Sequence, residues 1–532
     1  MRLIRLSLLL AILVIAGTVS AEKKVTKIPA IRTVTADLNA VNGPTKTVWR
    51  KCVGAGRANE GLRADWQDQL RKVKQDCGFE YIRMHGLLHD DMGVYLEEKG
   101  KPVYNWQYID MVYDFLLSID VKPFVELSFM PKDLASGPET VFWWKGNITP
   151  PKDYNKWYDL IKALTEHFTE RYGAEEVKTW YFEVWNEPNH PAFFKLADQA
   201  EYFKLYDYTA KAIKSVNKDY KVGGPSSAGN AWIPEIINYC EKQNVPIDFI
   251  ATHTYSVIKG TFDESGKTGI QFNPDSMAVT KDVVKSRAQI QSSAKPNLEL
   301  HYTEWSSSFS SSDPIHDTYQ SAAFILDKIK GTESVATSMS YWVFTDIFEE
   351  KGPRTTPFHG GFGLLNYQSI KKPAYYAYQF LNNLGETELK NSDKASWVCK
   401  NHNGDIQSLV WDFTITKPND KVFNAVYYKR DIPAADKGFV QLKYTNVPAG
   451  KYKLSIVKVG YKSNDVYATY MQMGSPQQLT KSQVQLLNEK NSGAPTISET
   501  IEIKEDQLFN YKLPFRENDV YFVNLIKLQN EK

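Results

Sequence analysis

Residues 180–188 read Trp180-Tyr181-Phe182-Glu183-Val184-Trp185-Asn186-Glu187-Pro188, an aromatic and β-branched run that stops at an amide, a carboxyl and a proline. A run of this kind has strand character, and the polar residues that follow mark its end. Working outward, seven more short runs share the texture: Thr47 to Val53, Tyr81 to His85, Pro123 to Ser128, Val222 to Pro225, Phe249 to Tyr255, Leu298 to Thr303 and Ser340 to Phe344. Between them lie stretches such as Tyr154 to Arg171 and Ala200 to Val216, where apolar residues recur at helical spacing. Strand and helix alternating eight times predict a closed (β/α)8 TIM barrel, an α/β fold. A doubly wound open sheet would carry a Gly-rich phosphate turn after an early strand, and no such turn is present.

After about Glu386 the texture becomes alternating strands broken by turn residues, as in Phe439 to Tyr444, Tyr452 to Val457 and Tyr521 to Leu528. The expected organisation is a barrel over 46–385 and a C-terminal all-β sandwich over 386–532, with residues 22–45 a segment that joins the sandwich. Residues 1–21 read as a signal peptide: Arg2 and Arg5, an apolar run from Leu6 to Ile15, and the small-residue site Val19-Ser20-Ala21. A secreted or periplasmic protein follows, free of the membrane once the signal is removed. The four cysteines, Cys52, Cys77, Cys240 and Cys399, are isolated and show neither metal-ligand nor disulfide-framework spacing. Sixty-four basic and 62 acidic residues leave a net charge of +2 spread along the chain, which excludes nucleic acid as a partner. Homo-oligomer formation is left open.

A TIM barrel carries its chemistry at the C-terminal ends of its strands. Glu187 ends one run, and Glu304-Trp305 ends the run from Leu298 to Thr303. Two carboxyls from separate strands are the minimal equipment for glycosidic cleavage: one protonates the leaving oxygen, and the other attacks or activates water. Each alone reads equally as a surface carboxylate. His85 and His253 end their own strands, where a substrate contact competes with a satisfied structural role. Neither histidine shows ligand spacing with the glutamates, so no metal and no cofactor are expected. A sugar-binding barrel without catalysis is the other class of function, and it would not need both carboxyls.

The ordered set of segments resembles glycoside hydrolase family 39, the β-xylosidase and α-L-iduronidase family. The carrying segments are Arg83-Met84-His85-Gly86, Pro123 to Pro131, Trp185-Asn186-Glu187-Pro188-Asn189, Gly223-Gly224-Pro225, Thr252-His253-Thr254-Tyr255, Tyr302-Thr303-Glu304-Trp305, and Asp346 to Glu350 with Phe358 to Leu364. The resemblance implies Glu187 as acid/base and Glu304 as nucleophile of a retaining mechanism, with Asn186 on the sugar 2-hydroxyl. Arg83 and the Tyr255 hydroxyl would keep Glu304 ionised, and the charge of Glu304 would keep Glu187 protonated. Glu349, Glu350 and His359 would read the terminal sugar's hydroxyls, beside His85 and His253. By the same comparison an iduronidase has a Lys two positions after the strand-6 His and an Arg in the strand-8 region. This chain has Tyr255 and Gly360-Gly361-Phe362 there, with Arg354 at another offset. The expected substrate is therefore an oligosaccharide or glycoside ending in neutral β-linked xylose, with galactose or arabinopyranose as alternatives. The long segment from Asp346 to Leu365 predicts a cleft closed at one end and exo action. Phe129, Trp143 and Trp144 read equally as sugar platforms or as core.

Overall fold

The computed structural model describes residues 31–262, 268–416 and 422–529 of the 532-residue chain. Eight parallel strands close into a barrel: β1 (Cys52–Arg57), β2 (Tyr81–His85), β3 (Lys122–Leu127), β4 (Tyr181–Val184), β5 (Lys221–Ser227), β6 (Phe249–Tyr255), β7 (Glu299–Ser306) and β8 (Ser338–Tyr341). Tyr341 beside Val53 closes the ring. A long helix follows each strand, from Ala64–Cys77 after β1 to Pro373–Asn382 after β8. The helix Tyr154–Tyr172 shows why. Asp153 caps it by accepting from the Asn155 and Lys156 amides, and Trp157, Leu160, Ile161, Leu164 and Phe168 form one buried stripe.

The first strand lies several residues beyond the expected run from Thr47 to Val53. Its centre is Gly54-Ala55-Gly56, weak strand formers required by packing: a Cβ on Gly54 would stand 2.4 Å from the Trp342 ring. Inside the barrel the side chains stack in layers. Tyr81, Phe124, Tyr181, Phe249 and His301 fill the bottom with ring-on-ring contacts. Two residues further along each strand the same face carries Arg83, Glu126, Glu183 and Thr303, so the next layer up is charged.

The C-terminal part is a two-sheet sandwich. One sheet has the order Ile31–Asp37, Asp436–Thr445, Phe509–Arg516; the other contains Val41–Pro44, Thr387–Leu389, Ser396–Lys400, Ile406–Trp411, Val520–Lys527, Gly450–Val459 and Ile497–Ile503. Ile31–Asp37 pairs in parallel with Asp436–Thr445. The expected signal peptide and residues 22–30 lie outside the described residues. Beside the single-turn helix Asn424–Tyr427, two longer helices, Val466–Gln472 and Lys481–Lys490, interrupt the β architecture. They form because Val466, Tyr467, Tyr470 and Leu487 bury against Phe358 and Ile370 from the segment after β8. All four cysteines are buried and unpaired. Among the described residues no helix is long and apolar enough to cross a membrane.

Candidate active site

The charged layer is organised by Arg83, which is wholly buried. Its guanidinium donates to Glu183 Oε2, to Glu304 Oε1 at 2.7 Å, to Asn186 Oδ1 at 2.9 Å and to Ser226 Oγ at 3.2 Å, and lies 2.8 Å from Glu126 Oε2. Burial alone would drive the proton off. The three carboxylates outweigh it and push the Arg83 pKa up, so the charge is permanent. Glu126 also meets His85 Nδ1 at 2.7 Å, and against the opposing effect of burial it raises the His85 pKa.

Glu304 reaches this layer through a backbone irregularity. Thr252 pairs with Tyr302 and His253 with Glu304, so Thr303 is an extra residue in β7. Strict alternation would turn Glu304 outward beside an inward Thr303; the bulge lets both point inward. Glu304 then accepts from Arg83 and from the Tyr255 hydroxyl at 2.7 Å. Burial and the Glu304 charge push the Tyr255 pKa well up, which keeps that phenol a donor.

Glu187 stands just past β4 with φ 45°, after Trp185 at φ 72°, and its amide bonds to Ser226 O at 2.8 Å. Left-handed backbone at a bulky residue and a carboxyl is costly, and here it aims Glu187 across the mouth. Burial pushes its pKa up to about 7. The expected cause, repulsion from Glu304, is corrected: desolvation dominates, with a smaller contribution from Glu126. Glu187 Oε1 lies 2.8 Å from His253 Nδ1. Burial lowers the His253 pKa to about 4, so its ring is neutral at pH 7. Thr303 gives its proton to Glu183 at 2.6 Å and faces His253 Nε2 at 3.2 Å as an acceptor. That network assigns the ring hydrogen to Nε2 and leaves Nδ1 to accept the proton held by Glu187.

A cavity of about 460 Å³ opens above, lined on one side by His85, Phe142, Trp342, Glu350 and Phe362 around Asn186, Glu187, Tyr255 and Glu304. Glu350 lies 3.9 Å from His85 Nε2, and burial followed by the nearby carboxylates pushes its pKa up to about 8. Two sequence assignments are corrected. Glu349 turns away from the cavity to Arg57 at 2.6 Å and Arg63 at 3.1 Å, drawn by two cations that lie outside it. His359 does not line the cavity either: it hydrogen-bonds Thr356 O at 3.2 Å and packs beside Asp346 and Gly361. His253 touches both catalytic candidates but lies beneath them rather than in the lining. Phe129 and Trp144 are core, Trp143 is 57% exposed, and of the aromatics in this stretch it is Phe142 that lines the cavity. Glu126 and Glu183 were not singled out from sequence. Their signal was a charge inside an apolar strand run, which must be paired if buried.

One oxygen each of Glu187 and Glu304 and a nitrogen of His253 fall within 4.8 Å of one another, a separation a metal ion could bridge. The surroundings do not suit one. Arg83 already places a fixed positive charge on Glu304, and His253 is held at both nitrogens. Carboxyl oxygens this close stand nearer the spacing of about 5 to 5.5 Å found in retaining glycosidases than the wider gap of an inverting pair.

The model of glycosyl hydrolases family 39 matches residues 32–504. The chain belongs to this family. It is 43% identical over 406 residues to a β-xylosidase of Geobacillus stearothermophilus, covering 73% of this chain and 80% of that one. A β-xylosidase of Caldicellulosiruptor saccharolyticus is 46% identical over 366 residues, covering 67% and 73%. The crystal structure of the family 39 enzyme from Xanthomonas axonopodis pv. citri superposes with a TM-score of 0.92 at 41% identity, over 95% of this chain and 99% of that one. In this family 39 chain the cavity is walled by two loops tied at the backbone: Trp143 N donates to Glu350 O at 2.7 Å, and a Cβ on Gly352 would stand 3.3 Å from the Trp143 indole.

Proposed function

We propose that this family 39 glycoside hydrolase is a secreted, retaining, exo-acting β-xylosidase. The observation that carries the reading is the pair of carboxyl oxygens within 4.8 Å, one buried with its pKa near 7 and the other held by Arg83 and Tyr255. Glu304 attacks the anomeric carbon as Glu187 passes its proton to the leaving oxygen, forming a glycosyl ester. Glu187, now a carboxylate, takes a proton from water, and the hydroxyl displaces Glu304 with overall retention. Arg83 fixes the Asn186 oxygen, which leaves the amide nitrogen free to donate to the sugar 2-hydroxyl.

Among the described residues the cavity lining holds no lysine or arginine, and Arg354 is engaged with Ser311 at 2.9 Å. A uronate would find no lysine or arginine there to pair with, and His85 is already engaged by Glu126, which supports a neutral sugar. The xylosidase relatives make xylose the first choice over galactose and arabinopyranose. The tied loops support a pocket closed behind the terminal sugar and thus release of monomers from the non-reducing end. Proton NMR of a fresh aryl β-xyloside digest tests the reading. The β-anomer of xylose should appear first, and a 2-fluoro xyloside should label Glu304; inverted product, or label elsewhere, contradicts it. An early digest of a xylo-oligosaccharide should show only monomer as the released sugar, and a ladder of intermediates would mean an open groove.

A further inference from the structure

The two halves of the cavity differ in chemistry. The half built by β8, β2 and the loop after β3 presents the polar groups His85 and Glu350 beside the rings of Phe142, Trp342 and Phe362, with Arg83 beneath. The half built past β4, β5, β6 and β7 presents His190, Phe193, Ala228, Gly229, Val257 and Phe309. Its nearby polar side chains are engaged elsewhere. The Asn189 amide both donates to Ala228 O at 2.9 Å and accepts from Ala228 N at 2.8 Å. Asn230 Oδ1 accepts from Ser286 at 3.2 Å and from the Tyr302 hydroxyl at 2.5 Å. His190 Nδ1 accepts the Ala192 amide at 3.1 Å, so only its Nε2 remains to meet a ligand. Phe309 meanwhile stands 47% exposed at the rim, edge-on to Tyr255 with centroids 6.2 Å apart. Phe193 packs between Phe142 at 5.5 Å and His190 at 5.4 Å, tilted to both rings.

We propose that this second half is a hydrophobic collar for the leaving group, and that the enzyme prefers β-xylosides of apolar, aromatic-bearing alcohols to xylose linked to xylose. The inference rests on the xylosidase reading, since it needs the hydroxyl-rich ring in the polar half. A second xylose in the collar would lay its hydroxyls along Phe193, Val257 and Phe309, where His190 Nε2 and rim water are left to bond them, so it gains little from the protein. An aryl or alkyl group would instead remove the exposed Phe309 face from water.

Three substrates test this: β-xylosyl fluoride, whose leaving group is too small to touch the collar, 2-phenylethyl β-xyloside and xylobiose. The wild-type enzyme should turn over the fluoride and should show kcat/KM at least about tenfold higher for the phenylethyl xyloside than for xylobiose. That order runs against leaving-group acidity, because the sugar hydroxyl departs more readily. Phe309→Ser should pull the phenylethyl-to-xylobiose ratio down by several-fold. Turnover of the fluoride with xylobiose preferred, or a ratio unmoved by Phe309→Ser, overturns the collar alone. No turnover of the fluoride overturns the xylosidase reading and the collar with it.

Discussion

Two buried ion clusters sit under the barrel mouth and are built from the same chemistry. In one, Lys372 lies 2.7 Å from Asp317 and 3.0 Å from Asp346, all three fully buried. In the other, Arg83 faces Glu126, Glu183 and Glu304. The Lys372 cluster is closed. Asp317 accepts the Gly360 amide at 2.7 Å, Asp346 accepts the Gly363 amide at 2.7 Å, and Lys372 donates to Gly361 O at 2.7 Å. One cation balanced against two carboxylates thus pins residues 360–363 and holds Phe362 at the cavity. The Arg83 cluster is open, because Glu304 is held from below and bare toward the cavity. A buried charge with every partner inside the protein acts as a clamp, and one with a free side acts as a reagent.

The largest test of that difference is Glu304→Gln. Activity on every xyloside should fall by more than about 10⁴-fold, because the nucleophile is gone. The melting temperature should hold or rise, since Arg83 keeps two carboxylates and loses a like-charged neighbour of both. A fall in melting temperature matching the loss of activity would show that Glu304 is part of a clamp after all.

Glu187→Ala should cost about 10²- to 10⁴-fold on substrates with poor leaving groups and far less on activated aryl xylosides. Azide should restore product from the activated substrate by attacking the intermediate. Equal losses on both, without an azide product, would remove Glu187 from the acid/base role. The wild-type pH profile carries the same information. Glu187 must be protonated to act, and its pKa lies at about 7. Below that value the acid is present; above it kcat/KM on poor leaving groups should drop about tenfold per pH unit. In the Ala variant this alkaline limb should vanish for an activated substrate.

Lys372→Met breaks the closed cluster and should cost about 3 to 5 kcal/mol of stability, read by urea unfolding, because two buried carboxylates lose their cation. Its kcat/KM at low temperature should change far less than that of either glutamate variant. A kcat loss comparable to Glu187→Ala with unchanged stability would make Lys372 part of the chemistry.

The sequence carried the barrel because eight short apolar runs separated by helical periodicity admit few other closures. It carried Glu187 and Glu304 because each ends such a run. It did not carry the bulge at Thr303, since one extra residue in a strand leaves no mark on an apolar pattern, although it is what turns Glu304 inward. Nor did it separate Glu349 from Glu350, because which of two neighbouring carboxylates faces a cavity depends on loop backbone that composition does not encode. The helices Val466–Gln472 and Lys481–Lys490 were missed for a related reason: their apolar face is written against residues 358 and 370, far away in the chain.

Glu349 makes the smallest test, because it belongs to a third cluster that is neither closed nor catalytic. It bridges Arg57 and Arg63, half-way between solvent and the buried Glu60, whose amide-facing oxygen accepts from Glu349 N at 2.9 Å. Burial, and after it the Glu349 charge, pushes the Glu60 pKa well up, against the opposing pull of Arg57. Glu349→Gln removes one partner of Arg57, but it also removes a like charge that opposes ionisation of Glu60. Arg57 retains Asp91, and Glu60 can take up part of the lost charge at 3.9 Å. The two changes offset each other, so stability should move by less than about 1 kcal/mol and kcat/KM by only a few-fold. Glu350→Gln, which alters the cavity wall itself, should raise KM much more. Equal effects of the two substitutions would show that the turn acts as one unit, and that the contrast between clamp and reagent fails at this loop.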